Sequence, residues 1–159
     1  MASIELNDRL QYFITTADEI LHRVTENTAW DPSVDQETYD ASYKDRVSQP
    51  TYVTGSKYSV EIDIDHIDGS TVQDFLYDIE DDANVAVTMV RVDRFRPGTA
   101  PGSYAAKQCE LAITMNPLDA EAGGPVHHTG TATRTSEGWV KGTFVPDATW
   151  ATGVFTPDA

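Results

Sequence analysis

The chain predicts a mainly β protein: a β-sandwich or related barrel of about seven or eight strands, one flanking α-helix and a long projecting loop or hairpin. Three observations predict it. Apolar and polar residues alternate with period two along much of the chain. Only one segment carries a helical stripe. Clusters of Pro, Gly, Asn and Asp separate strand-length runs. The 159 residues fit one domain, because a typical domain has roughly 100–150 residues and a single core.

The elements follow in order. Residues 10–16 and 20–26 predict two strands joined by a turn at Ala17, Asp18 and Glu19. Tyr58, Val60, Ile62 and Ile64 alternate with Ser59, Glu61, Asp63 and Asp65, the pattern of a strand with one wet face. A helix is expected over 70–81. Ser70 and Gln73 have the spacing of a capping box, and Val72, Phe75, Leu76 and Ile79 form an apolar stripe. Asp78, Glu80, Asp81 and Asp82 crowd its C-terminal end, where the helix dipole disfavours anions. Local stability gives no reason for that cluster.

Residues 85–95 carry apolar side chains on both phases: Val85, Val87 and Met89, then Val90 and Val92. Such a strand is covered on both faces, or a bulge shifts its phase. Residues 104–115 form the next strand, and a loop follows over 116–124. Residues 126–135 and 139–145 are expected to pair as a hairpin around Ser136, Glu137 and Gly138. Two segments fit a compact core poorly. One is 30–56, with Tyr39, Tyr43 and Tyr52; the other is 147–159, with Trp150 and Phe155. Aromatics on projecting segments suit a protein interface, and equally serve to staple a loop to its own domain.

Charge excludes several functions. There are 26 acidic and 11 basic residues, giving a net charge of −15. Nucleic-acid binding requires Lys and Arg to displace counterions from phosphates, so sequence-specific binding to DNA or RNA is not expected. Anionic membrane surfaces repel such a chain. No apolar run approaches the roughly 20 residues of a membrane span, and the N-terminus lacks the pattern of a secretory signal. The 17 Asp, 9 Glu and four Lys also suit a protein kept soluble in high salt.

Chemical sites were sought and none is expected. Asp63, Asp65, His66 and Asp68 crowd one segment, but Ile67 breaks the calcium-loop pattern. His127 and His128 are adjacent, so in a strand their rings point to opposite faces. Cys109 lies in phase with Leu111, Ile113 and Met115, as a buried thiol does. No nucleophile elbow, phosphate loop or HExxH occurs. Neither a catalytic residue nor a cofactor is expected, although 26 carboxylates leave a paired-acid hydrolase open.

The order of elements resembles the major tail protein, or tail tube protein, of long-tailed siphovirus-type phages and related archaeal viruses. The resemblance is carried by Gln11-Tyr12-Phe13-Ile14, by Trp30-Asp31-Pro32-Ser33-Val34-Asp35-Gln36-Glu37 running into Tyr39, and by Tyr43-Lys44-Asp45. It continues through Pro50-Thr51-Tyr52-Val53-Thr54-Gly55, Asp74-Phe75-Leu76-Tyr77-Asp78-Ile79, Val90-Arg91-Val92 and Gly142-Thr143-Phe144. It spans most of residues 10–146, and its specificity lies in the sum rather than in one motif. It implies a tail-tube-like β-sandwich domain over 1–146, with 35–55 as a projecting inter-subunit loop. Residues 147–159 would form a C-terminal arm that has no clear counterpart in the family.

The resemblance also implies a structural subunit rather than an enzyme. Its first partner would be itself, in stacked rings of six subunits, and its others the remaining tail proteins of the virion. Made in the host cytoplasm, it would reside in the virion tail, and DNA would pass along the tube without specific binding. Tyr39, Tyr43, Lys44, Asp45, Tyr52, Trp150 and Phe155 would make inter-subunit contacts. Asp78, Glu80, Asp81 and Asp82 would line an acidic lumen or the outer surface. Screening of self-repulsion predicts assembly that strengthens as salt rises. The alternative is an acidic β-sandwich that binds carbohydrate or a cell-surface protein, with Tyr104, Trp139 and Trp150 as its aromatic platform.

Overall fold

The computed structural model describes residues 9–24, 27–45, 47–66, 69–120, 122–124 and 126–158. The described chain forms β1 (Leu10–Thr15), β2 (Leu21–Arg23), β3 (Asn27–Asp40), β4 (Thr51–Asp65), α1 (Thr71–Asp78), β5 (Val85–Pro97), β6 (Tyr104–Met115), β7 (Asp119–Ala120), β8 (Val126–Arg134), β9 (Val140–Pro146) and β10 (Thr152–Pro157). Mainly β with a single short helix, it has the class the alternation predicts.

Six strands close a barrel in the order β6–β5–β1–β2–β10–β9, with β9 returning to β6. The remaining long strands extend sideways as β6–β8–β4–β3. One edge of β6 serves both parts. Residues 104–108 pair with β9, and residues 111–115 pair with β8. The hairpin expected between 126–135 and 139–145 is therefore not formed. Its two strands run on in one direction, both antiparallel to β6. Thr135 N–H donates to the Glu110 carbonyl at 2.9 Å, and Ser136 Oγ accepts from Glu110 N–H at 3.3 Å. Residues 135–139 thus hold a break in a continuous edge, not a reversal. Turn residues mark both, and only the partner strand tells them apart.

β5 is covered on both faces, as its two apolar phases require. Val90 and Val92 face the barrel interior with Phe13, Ala106 and Phe144. Val87 and Met89 face a larger core with Ile14, Val60, Ile62, Ile64, Leu76, Cys109, Leu111 and Ile113. No register shift occurs between Met89 and Val90, so the change of phase reflects two cores and not a bulge.

α1 lies over the larger core and buries Val72, Gln73 and Leu76. The expected capping box is absent. Ser70 occupies the N-cap without a side-chain cap bond, and Gln73 is turned inward to donate to the Asp65 carbonyl at 2.8 Å. Burial decides this. An amide with 1% exposure needs an internal partner more than a solvated helix end needs a second cap.

The turn at 17–19 is as expected. Asp18 Oδ1 accepts from Ile20 N–H and from Thr16 Oγ1, and Glu19 takes φ 60°. The segment after Asp147, expected as a C-terminal arm, carries a strand. Residues 152–157 are β10, paired to β9 and β2, and this strand completes the barrel. β9 and β10 approach closely enough that a Cβ on Gly142 would lie 2.2 Å from the Thr156 carbonyl oxygen.

Phe13 and Phe144 stack at the barrel centre with centroids 4.4 Å apart, both fully buried. Phe144→Ala is expected to lower unfolding free energy by about 3–5 kcal/mol in urea titrations. Val154→Ala, at a site 66% exposed, should change it by less than about 0.5 kcal/mol.

Candidate assembly surfaces

The largest exposed feature is the hairpin of β3 and β4. The two strands pair from Asn27↔Ile64 out to Asp40↔Thr51. β8 covers the other edge of β4 only over residues 59–65. Beyond Ser59 the pair has no third strand among the described residues. From Asp31 to Asp40 and from Thr51 to Thr54 every residue is exposed. The free ribbon runs about seven residues, or roughly 23 Å at 3.3 Å per residue. A two-stranded ribbon in water is marginally stable. This one is anchored at its base by Trp30, which is 5% exposed.

The ribbon presents Val34, Tyr39, Tyr52 and Val53 to solvent. Tyr39 and Tyr52 are directly opposite each other in register, and Tyr39 is 60% exposed. Tyr43 lies near the tip, where its N–H donates to Gln49 Oε1 at 2.8 Å. Lys44 and Asp45 are exposed beside it. Tyr39, Tyr43, Lys44, Asp45 and Tyr52 thus share one projecting element. Val34 and Val53 belong to the same surface, and sequence reasoning missed them. Valine in an alternating strand signals a core, and only the lack of a covering layer shows otherwise.

Trp150 and Phe155 lie elsewhere. Both pack, half-buried, against the barrel core. Trp150 packs against Tyr104 at a tilt of 57° with centroids 4.9 Å apart, under the Arg94 guanidinium. Trp139 packs edge-on against Tyr58 at 5.2 Å with Arg91 over its ring. The three aromatics considered as a carbohydrate platform therefore have ring faces engaged within the chain. Asp78, Asp81 and Asp82 are exposed at the end of α1, and Glu80 Oε2 accepts from Leu118 N–H at 3.2 Å.

The histidines separate as adjacent strand residues must. His127 Nδ1 lies 3.0 Å from Asp65 Oδ1 and 3.3 Å from Asp63 Oδ1 on the outer face. His128 turns inward, and its Nε2 meets His66 Nδ1 at 2.8 Å. Asp68 lies outside the described residues. Among the described residues, no group of three or more His, Cys, Asp or Glu side chains is placed to hold a metal ion. Burial pushes the Cys109 thiol up to about 11, so it is protonated and weakly nucleophilic at neutral pH. No helix among those residues is long and apolar enough to cross a membrane.

No protein-family model matches the sequence, and no curated protein matches it. Solved structures do. One is a chain in the cryo-EM structure of the anti-feeding prophage (AFP) baseplate, 6-fold symmetrised. It has 9% identity and a TM-score of 0.57, with 89% of this chain and 97% of that chain covered. Another is the hybrid solid-state NMR and cryo-EM structure of the SPP1 tail tube, with 12% identity and a TM-score of 0.59. There, 86% of this chain and 77% of that chain are covered. The chain has the tail tube fold.

The His66–His128 contact has a consequence for pH. Desolvation first, and then the neighbouring His66, hold His128 below the ordinary 6.5; Glu80 and Asp74 oppose this. As pH falls, the unfolded chain therefore takes up this proton before the folded chain does. Stability is fully present above about 6.5 and is lost as pH falls through the lowered value. The melting temperature should fall between about pH 7 and pH 5, and His128→Gln should remove part of that slope. Parallel slopes in the two proteins would contradict it.

Proposed function

We propose that the chain is a structural subunit of a viral tail tube, a non-enzymatic protein that assembles with copies of itself into stacked rings, six subunits to a ring. Its location is the virion tail, its other partners are tail proteins, and the genome passes along the channel. One observation carries this: a barrel with the tail tube fold extends a two-stranded ribbon whose faces no other element covers among the described residues. An exposed pair of strands with Val and Tyr on its surface is left uncovered in a monomer and buried in an assembly. Tyr39, Tyr43, Tyr52, Val34 and Val53 make contact with neighbouring subunits, with Lys44 and Asp45 at the tip. Trp150 and Phe155 act from within the barrel wall, where they shape the surface carried by β10.

The net charge of −15 fits a conduit for DNA. A tube that passes a polyanion works best without a ladder of cations to hold it. Asp78, Glu80, Asp81 and Asp82 belong to this acidic surface. Self-repulsion between such subunits reaches about 8 Å at physiological salt and is shortened by more. Purified protein at rising concentration and salt is expected to form rings or hollow tubes in negative-stain electron microscopy. The doubly substituted Tyr39→Ser/Tyr52→Ser chain should remain monomeric, with its own stability changed by less than about 0.5 kcal/mol. Wild-type protein that stays monomeric at every concentration and salt would overturn the proposal.

A further inference from the structure

The strand register assembles a feature that the sequence scatters. Arg91 on β5 is directly opposite Lys107 on β6, and Lys107 is directly opposite Lys141 on β9. Residues opposite one another in a sheet share a face, and like charges so placed are destabilising. Among the described residues no ion pair satisfies Arg91, Lys107 or Lys141. The row lines an open cavity of about 450 Å³ together with Arg96, Asp93 and Asp158. Asp93 is already held by Arg9 through two bonds of 3.1 and 3.2 Å. Arg94 joins the same end, its N–H bonded to the Arg9 carbonyl. Six of the chain's 11 basic residues therefore gather at one end of the barrel.

The opposite sign is concentrated at the other end. Asp78, Glu80, Asp81 and Asp82 follow one another into the start of β5 at Val85. Arg91 is six residues further along that strand, or about 20 Å. The two clusters cannot pair within one chain. Each is unfavourable where it sits, the anions at a helix C-terminus and the cations side by side.

We propose that the cationic row is a docking site for a second copy of this chain and receives its α1 acidic cluster. The contact is head-to-tail and heterologous, so it propagates along an axis unless its rotation closes it into a ring. It rests on the tail tube proposal and names the surfaces that join one ring to the next. Close pairs in a contact are screened by salt far less than the long-range repulsion of the whole subunits. Added salt therefore favours the stack without dissolving the contact.

The test uses charge reversal of the full chain at each end. Lys107→Glu/Lys141→Glu puts acids at the centre of the row, and Asp81→Lys/Asp82→Lys puts cations at the tip of the acidic cluster, so the two substituted surfaces complement each other. Neither variant alone should stack, and an equimolar mixture should recover tubes in electron microscopy and sedimentation. Asp81→Lys/Asp82→Lys should melt no lower than wild type, because it breaks up a run of like charges, and both variants should keep the wild-type circular dichroism spectrum; this separates lost contact from lost folding. Tubes from either variant alone, or no recovery on mixing, would overturn the docking contact and leave the tube proposal in place. Wild-type protein that forms no assembly at all would overturn both. A wild-type chain that binds an oligonucleotide through Lys107 and Lys141, with stacking unaffected by their reversal, would assign the row to nucleic acid instead.

Discussion

Everything in this molecule depends on the ladder between β5 and β6. The two strands pair in register from Val85↔Ile113 to Asp93↔Ala105, and each face of the pair contributes to a core. One face carries the barrel core around Phe13 and Phe144, and the other carries the larger core beneath α1. A strand that packs against a core on each side needs apolar side chains on both phases. That demand explains Val87, Met89, Val90 and Val92, and it explains why Cys109 is a core thiol and not a reactive one.

The free edge of β6 then decides the architecture. It is long enough for two partners, and the break at residues 135–139 divides it between them. β9 turns into the barrel and meets β10, whereas β8 leads outward to β4 and β3. The outer sheet shields the larger core only as far as Ser59. Past that point the β3–β4 ribbon continues without cover. An exposed ribbon thus arises from the mismatch between a long pair of strands and a shorter neighbour.

Charge is organised by the same framework. The overall acidity is spread along the sequence, but the register gathers the cations of β5, β6 and β9 into one row at one end. The acidic end of α1 marks the other. The paired histidines under α1 add a sensitivity to acid, because a buried ring that is neutral when folded must be charged when released.

Much of the class was legible in the sequence, and for local reasons. Alternation identified β4 and β6, the apolar stripe identified α1, and two apolar phases marked β5 as doubly covered. The Tyr-bearing segment around Tyr39 and Tyr52 was recognisable as projecting, since few aliphatics were there to bury it. The acidic cluster at Asp78 to Asp82 was visible as an anomaly. What the sequence could not determine is partnership. Turn residues at 136–138 suit a reversal and a break equally, so β8 and β9 were paired with each other when both belong to β6. The tail beyond Asp147 shows no strong alternation, yet it closes the barrel, because a closing strand is specified by the two edges waiting for it. Arg91, Lys107 and Lys141 are distant in sequence and adjacent only through register. Local periodicity reports which way a side chain faces; only the tertiary structure decides what it faces.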